Sequence, residues 1–262
     1  MPKVCLVSYY GGKHMLAPKI IALFPKNHIT YVEPFCGGGS VLLQKEPSKI
    51  EVFNDNDEYV INFFRVLQQP EKFERFQRII TLTPWSRKAF DHAKINMATT
   101  TSDVYKAVYW FIVLRQSFSS MMSQTWSYDI VSSARNVSRK ISAWFGAIDL
   151  LPEFVNRLLR VQFECGDYSD IIKRYDRPTT LFYVDPPYWN IQYEYRHMFT
   201  KRDHIKMLVL LKQVSGKVVL SGYRNEVYGR MLKNWNREDI NTVSSASLTK
   251  RNARVESLWM NF

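Results

Sequence analysis

The chain has 262 residues, 46% of them hydrophobic and 23% charged, which suits a folded globular protein with a sizeable core. No apolar run approaches the ~20 residues a bilayer-spanning helix needs. The three cysteines, Cys5, Cys36 and Cys165, form no C-x-x-C pair, which argues against a disulfide framework or a cysteine zinc site and for a reducing compartment. The formal charge of +12 fits a polyanionic partner; it fits an inert basic surface equally well.

In chain order, residues 1–7 lack a long apolar h-region and read as a first strand rather than a signal peptide. Tyr9-Tyr10-Gly11-Gly12-Lys13 can set a ring and a cation beside a ligand carboxylate, or be a plain glycine turn. Residues 29–33 read as a strand, followed by a glycine-rich turn at 34–39 and a helix opening over 40–44. Residues 49–53 form the next strand and 58–67 an amphipathic helix. This β-α-β-α pattern predicts a parallel sheet. From about residue 71 to 159 the periodicity is helical. Ser102 caps a long apolar helix, 123–133 reads as a hairpin or loop, and 137–149 is again helical. Strand–helix alternation then returns. Strands are predicted at 161–164, 180–184 and 217–221, with helices at 169–175 and 200–214, the latter opened by a Thr200/Asp203 capping pair. Residues 238–243 and 257–262 suggest a terminal antiparallel pair. The expected fold is an α/β domain interrupted by a helical lobe.

Two motifs carry chemistry. Asp185-Pro186-Pro187-Tyr188 follows a buried strand, and ligands of open α/β sheets sit at strand carboxyl ends. The two prolines stiffen the backbone and hold a carbonyl in one place. An ordinary Pro-Pro loop is the alternative. The second motif is Glu33-Pro34-Phe35-Cys36-Gly37-Gly38-Gly39, a turn that lets a ligand approach the backbone. It is not the dinucleotide fingerprint, because Leu42 stands where the third glycine belongs. Asp55, after the next strand, can accept from ribose hydroxyls or simply be solvated.

Taken together, Tyr9-x-Gly11-Gly12-Lys13, Val32-Glu33-Pro34-Phe35-x-Gly37-x-Gly39-Ser40, Asn54-Asp55-x-Asp57 and Asp185-Pro186-Pro187-Tyr188 resemble the Dam-like, D12-class adenine-specific DNA methyltransferases. The resemblance implies a Rossmann-like sheet that binds S-adenosylmethionine, formed by residues 1–69 and 160–262. It implies a mainly helical target-recognition lobe over 70–159. Tyr9, Lys13, Glu33, Phe35, Gly37, Gly39, Asp55, Asp185 and the acidic–aromatic pair Asp167-Tyr168 match its cofactor positions. No metal is expected.

The resemblance further implies methyl transfer to N6 of an adenine flipped out of duplex DNA. Asp185 and the Pro186 carbonyl would accept the two amino protons, Pro187 would stiffen the turn, and Tyr188 would stack on the base. Candidate DNA contacts are Arg115, Trp126, Tyr128, Arg135, Asn136, Arg139 and Lys140 in the lobe, and Lys250, Arg251 and Arg254 near the end; a solvated face is as good a reading of each. N4-cytosine or RNA N6-adenine methylation and a silent DNA-binding relative are the alternatives. Asp185 favours DNA adenine, since N4-cytosine enzymes more often carry Ser there and RNA enzymes Asn. The expected setting is a bacterial or phage cytoplasm, nucleoid-associated, in restriction–modification. The expected state is a monomer, with a dimer on DNA as the alternative.

Overall fold

Short runs rich in β-branched and aromatic residues become strands here, and the stretches between them become helices. The computed structural model describes residues 6–7, 12–120, 122, 124–189, 199–243 and 253–262. In chain order the elements begin with α1 (Ala17–Ala22), β1 (Thr30–Glu33) and β2 (Ile50–Asn54). A helical stretch follows: α2 (Glu58–Gln68), α3 (Pro70–Thr81), α4 (Arg87–Asn96) and α5 (Asp103–Gln116). After a 3₁₀ turn at Phe118–Ser120 come β3 (Ser133–Ala134), β4 (Val137–Ser138), α6 (Arg139–Asp149) and α7 (Leu151–Leu158). The remainder is β5 (Gln162–Glu164), α8 (Tyr168–Tyr175), β6 (Thr180–Val184), α9 (Lys201–Leu211), β7 (Lys217–Gly222), α10 (Glu226–Met231), β8 (Asn236–Val243) and β9 (Ala253–Met260).

Among the described residues seven strands form one sheet in the order β5-β2-β1-β6-β7-β9-β8. The first five of these are mutually parallel, and β9 runs antiparallel to both β7 and β8. The chain leaves β1 towards β2 and β5, then returns to β6 on the other side of β1. That reversal is a topological switch point, where an open α/β sheet leaves a crevice beyond its strand carboxyl ends. β6 is buried along its whole length, as expected of a central parallel strand. One sheet face carries Val32, Val52, Phe182, Val184, Val218, Leu220 and Trp259, packed with Met207, Leu208 and Leu211 of α9 and Tyr228 of α10. The α/β class and the Thr200/Asp203 capping box agree with the sequence reading.

The chain forms two compact units: residues 18–36, 46–56 and 162–262 carry the sheet, and residues 1–17, 37–45 and 57–161 form the other. The second unit is organised by α5, which is buried on nearly all sides and so must be the central helix. Phe63 of α2 stacks on Phe111 of α5 at 5.6 Å and meets Trp110 at 5.0 Å and Phe76 of α3 at 5.7 Å. Hence this unit takes in α2. No helix of the described residues is long and apolar enough to cross a membrane.

Three local expectations are corrected. Residues 40–44 form turns rather than a helix. The Leu43 and Lys45 amides donate to the Gly39 and Val41 carbonyls at 3.0 Å each, but Gly39 has φ 65° and Pro47 disfavours helical backbone just before it. Of the expected first strand, Leu6–Val7 are a bend and residues 1–5 lie outside the described residues. The start of the helix expected over 137–149 is instead β4, paired with β3 through a two-residue turn. Arg135 and Asn136 hold that turn at φ 54° and 60°, the left-handed pair that matches strand twist.

His204 of α9 is buried among Trp189, Phe199 and Tyr228, with Nδ1 2.8 Å from the Tyr228 hydroxyl. Burial lowers its pKa from 6.5 to about 4, against a smaller opposing effect of Asp203. Between those pH values the unfolded chain binds a proton that the folded chain does not. Stability is therefore complete above about pH 6.5 and falls on acidification, by about 2 kcal/mol from pH 7.5 to pH 5. Urea unfolding at the two pH values should show this loss in the wild type and a reduced loss in His204→Phe.

Candidate functional site

The carboxyl ends of β1, β2 and β5 are tied together by one side chain. Asn54, the last residue of β2, is fully buried. Its Nδ2 donates to the Pro34 carbonyl at 2.9 Å and the Gly166 carbonyl at 3.0 Å, while Oδ1 accepts from the Gly166 amide at 3.0 Å. Its own carbonyl accepts from the Cys36 amide at 2.8 Å. Two donors and an acceptor pointing at backbone partners set the amide orientation without ambiguity. The loops after three strands are thereby held in one arrangement.

Beside those loops Phe35, Tyr168 and Phe199 form a half-buried aromatic cluster. Phe35, two residues past β1, stacks on Tyr168 with centroids 5.1 Å apart and a 28° tilt. Phe199 meets both rings edge-on at 5.6 Å. Asp167 caps α8 by accepting from the Ser169 amide at 2.8 Å. Burial, then Asp167 and Asp203, push the Tyr168 phenol up to about 12, so it stays neutral. Asp55 lies half-buried just past β2. Burial, reinforced by Asp55 and Glu33, raises the Cys36 thiol well above its usual range; it remains a protonated, unreactive group.

Asp185 follows β6 directly and is half-buried, while Pro186 is buried. The Tyr188 ring is also buried. It meets Tyr223 edge-on at 4.5 Å, and its hydroxyl donates to Glu256 Oε1 at 2.5 Å. Burial, then the charges of Asp185 and Glu256, raise the Tyr188 phenol well above the ordinary tyrosine value. Glu33 is buried at the end of β1 and accepts from the Tyr31 hydroxyl at 2.6 Å. The sheet unit thus assembles Glu33, Phe35, Asp55, Asp167, Tyr168 and Asp185–Tyr188 along one edge. Among the described residues no cluster of three or more His, Cys, Asp or Glu could hold a metal ion.

The other unit contains Lys13, which is buried and whose carbonyl accepts from the Leu16 and Ala17 amides. It also contains Gly37 and Gly39, at φ 47° and 65°, conformations that favour glycine. Of the candidate DNA contacts, Arg115 donates to the Ala143 carbonyl at 2.9 Å. Trp126 donates to Gln116 at 3.1 Å under the Arg87 guanidinium. Both side chains take part in the unit's own framework, and Lys140 is half-buried with its amide on Asp129. Tyr128, Arg135, Asn136 and Arg139 are exposed on or beside the β3–β4 hairpin. Tyr9, Lys250 and Arg251 lie outside the described residues; Arg254 lies in β9 opposite Thr242. Sequence reasoning missed the clamp role of Asn54, the ring of Phe199 and the carboxylate of Glu256. Asn54 alone had a local signal, its position at the strand end beside Asp55.

A family model described as D12 class N6 adenine-specific DNA methyltransferase matches residues 9–246. The type II methyltransferase M1.LlaDCHI of Lactococcus lactis subsp. cremoris is 23% identical over 278 aligned positions, covering 96% of this chain and 93% of that protein. The modification methylase LlaI of Lactococcus lactis subsp. lactis is 23% identical over 191, covering 70% of this chain but 29% of its own length. The modification methylase StsI of Streptococcus sanguinis is 36% identical over 73, covering 28% of this chain and 11% of that one. Among solved structures, the rRNA methyltransferase aviRa of Streptomyces viridochromogenes superposes with a TM-score of 0.41 at 12% identity, covering 94% of this chain and 82% of that one.

Replacing Asn54 tests the clamp. Asn54→Ala removes the partner of the buried Pro34 carbonyl and of the part-buried Gly166 amide and carbonyl, and a buried polar group left unsatisfied costs about 1–3 kcal/mol. A loss of about 3 kcal/mol in urea unfolding is expected. Asn54→Asp should cost at least as much at neutral pH, because a carboxylate oxygen then faces two carbonyls.

Proposed function

The chain belongs to the D12 class N6 adenine-specific DNA methyltransferases, and from that premise we propose that Asp185-Pro186-Pro187-Tyr188 is its catalytic centre, with S-adenosylmethionine as methyl donor. The observation that carries this reading is the position of Asp185, at the carboxyl end of β6 beside β1, on the switch point of the sheet. Residues 1–69 and 160–262 are assigned to catalysis, and residues 70–159 to target recognition.

The residues fit the cofactor. The half-buried faces of Phe35, Tyr168 and Phe199 suit an adenine ring, and Asp55 suits ribose hydroxyls. Glycines at positive φ allow close approach to the backbone. Tyr9, Lys13, Glu33 and Asp167 join this set through the family resemblance. When bound, S-adenosylmethionine supplies an electrophilic methyl group on a sulfonium centre.

The chain's own task is to make the exocyclic amine nucleophilic. That nitrogen's lone pair is delocalised into the ring. Two acceptors, the Asp185 carboxylate and the Pro186 carbonyl, draw its protons out of conjugation and localise the pair. The diproline holds both acceptors in place, so positioning supplies much of the rate. Asp185 also stabilises the positive charge that grows on the amine. Flipping the base costs about a few kcal/mol, and contact with the Tyr188 ring returns about 1–3 kcal/mol.

The hairpin of β3 and β4 is proposed to meet the duplex. Asp129 accepts from the Ser138 hydroxyl at 2.7 Å and the Lys140 amide at 2.8 Å, pinning the hairpin's base. Arg135, Asn136 and Arg139 are left exposed, with Ile130 and Val131 85% and 90% exposed beside them. Guanidinium groups suit phosphates, and aliphatic side chains suit an opened base step. Action as a monomer, in a bacterial or phage nucleoid and in restriction–modification, belongs to the same reading.

Asp185→Ala should lower methyl transfer to PCR-amplified genomic DNA at least a thousandfold while the fold survives; nucleoside analysis of the wild-type product should show N6-methyladenine. Full activity of Asp185→Ala, or N4-methylcytosine as the product, would sink the assignment. Arg135→Ala and Arg139→Ala should each weaken DNA binding and reduce the slope of log affinity against log salt by about 1; an unchanged slope removes that residue from the interface.

A further inference from the structure

Glu256 lies on β9, far in sequence from every motif considered above, and is 4% exposed. Its Oε1 accepts from two hydroxyls, those of Tyr188 and Ser221, at 2.5 Å each. Ser221 is on β7, the strand that pairs with β9. One carboxylate oxygen therefore joins the catalytic loop to the antiparallel end of the sheet.

Burying a carboxylate costs several kcal/mol, and a neutral hydrogen-bonding residue would hold the two strands together more cheaply. The charge is better explained by what it does to Tyr188. A tyrosine ring turns about two torsions. The edge contact with Tyr223 at 4.5 Å restrains the ring at its side, and the bond to Glu256 fixes its far end. A ring held at both places is already ordered when a base arrives, so less entropy is lost on contact. The bond has an electronic effect too. A phenol that donates to a carboxylate shifts electron density into its ring, and an electron-rich face is the better neighbour for positive charge growing on an adenine.

We propose that Glu256 is a positioning residue for methyl transfer, holding the Tyr188 ring through its hydroxyl in the orientation that receives the flipped adenine. The inference rests on the reading of Asp185–Tyr188 as the catalytic centre. β9 thereby becomes part of the active site.

A double-mutant cycle tests it. With PCR-amplified genomic DNA and radiolabelled S-adenosylmethionine, Glu256→Gln should lower kcat about tenfold and leave KM for the cofactor within twofold. In a Tyr188→Phe background the same change should alter kcat less than twofold, because the hydroxyl through which Glu256 acts is gone. Equal tenfold losses in both backgrounds would overturn the proposal. Glu256→Asp, which keeps the charge but withdraws the oxygen, should follow the same pattern and serves if the Gln variant folds poorly. Independently of activity, the 13C resonance of Tyr188 Cζ, assigned by its absence from Tyr188→Phe, should move in Glu256→Gln; an unmoved resonance also overturns it. A wild type that makes no N6-methyladenine counts against the catalytic assignment itself, whereas an active wild type with additive losses counts only against Glu256.

Discussion

The site depends on the amide of Asn54. A parallel sheet delivers its strand ends to one edge but leaves the loops beyond them free to wander, because no ladder bond reaches past the last paired residue. Asn54 supplies the missing bonds at 2.9–3.0 Å to Pro34 and Gly166, so the loops after β1 and β5 are both referenced to β2. Phe35, on the loop after β1, and Tyr168, which opens α8 just past the loop after β5, stack at 5.1 Å on backbones held in this way. An aspartate or a leucine of the same size could not satisfy two carbonyls and an amide together.

The other sheet face near this edge concentrates acidity. Glu33 closes β1, Asp185 follows β6 and Glu256 lies on β9, the first and last of them buried. Tyr183, buried on β6, has its phenol raised by burial first and then by Asp185, against a lowering by Ser221 and with smaller raising effects of Glu256 and Glu33. Buried negative charge is costly for stability. On the catalytic reading proposed for Asp185, it is useful beside an amine that becomes cationic as it is methylated, a physical reason for a sheet to tolerate so many carboxylates at one end.

Legibility followed chemistry and sequence distance. Asp185-Pro186-Pro187-Tyr188 and the glycine turn were readable because backbone restriction is written locally: proline removes freedom and glycine adds it. The strands were readable because buried parallel strands are continuous apolar runs, as in Thr180–Val184. The turn at 40–44 was misread as a helix because its apolar residues, Val41, Leu42 and Leu43, are buried through the unit's packing rather than through helical periodicity. Arg115 and Trp126 are candidate DNA contacts in the sequence, and in the fold each has a partner within its own unit, the Ala143 carbonyl and Gln116. A sequence cannot show whether a polar side chain is already satisfied.

By itself the sequence determined the α/β class, most strands of the main sheet and the family. Each rests on local composition or on short motifs in a set order. Only the tertiary structure decided which strand lies beside which, and so which loops face one another. Asn54 meets Gly166 across 112 residues and Tyr188 meets Glu256 across 68. Contacts of that range leave no local trace, because the first exists only where β5 pairs with β2 and the second only where β9 pairs with β7 beside β6.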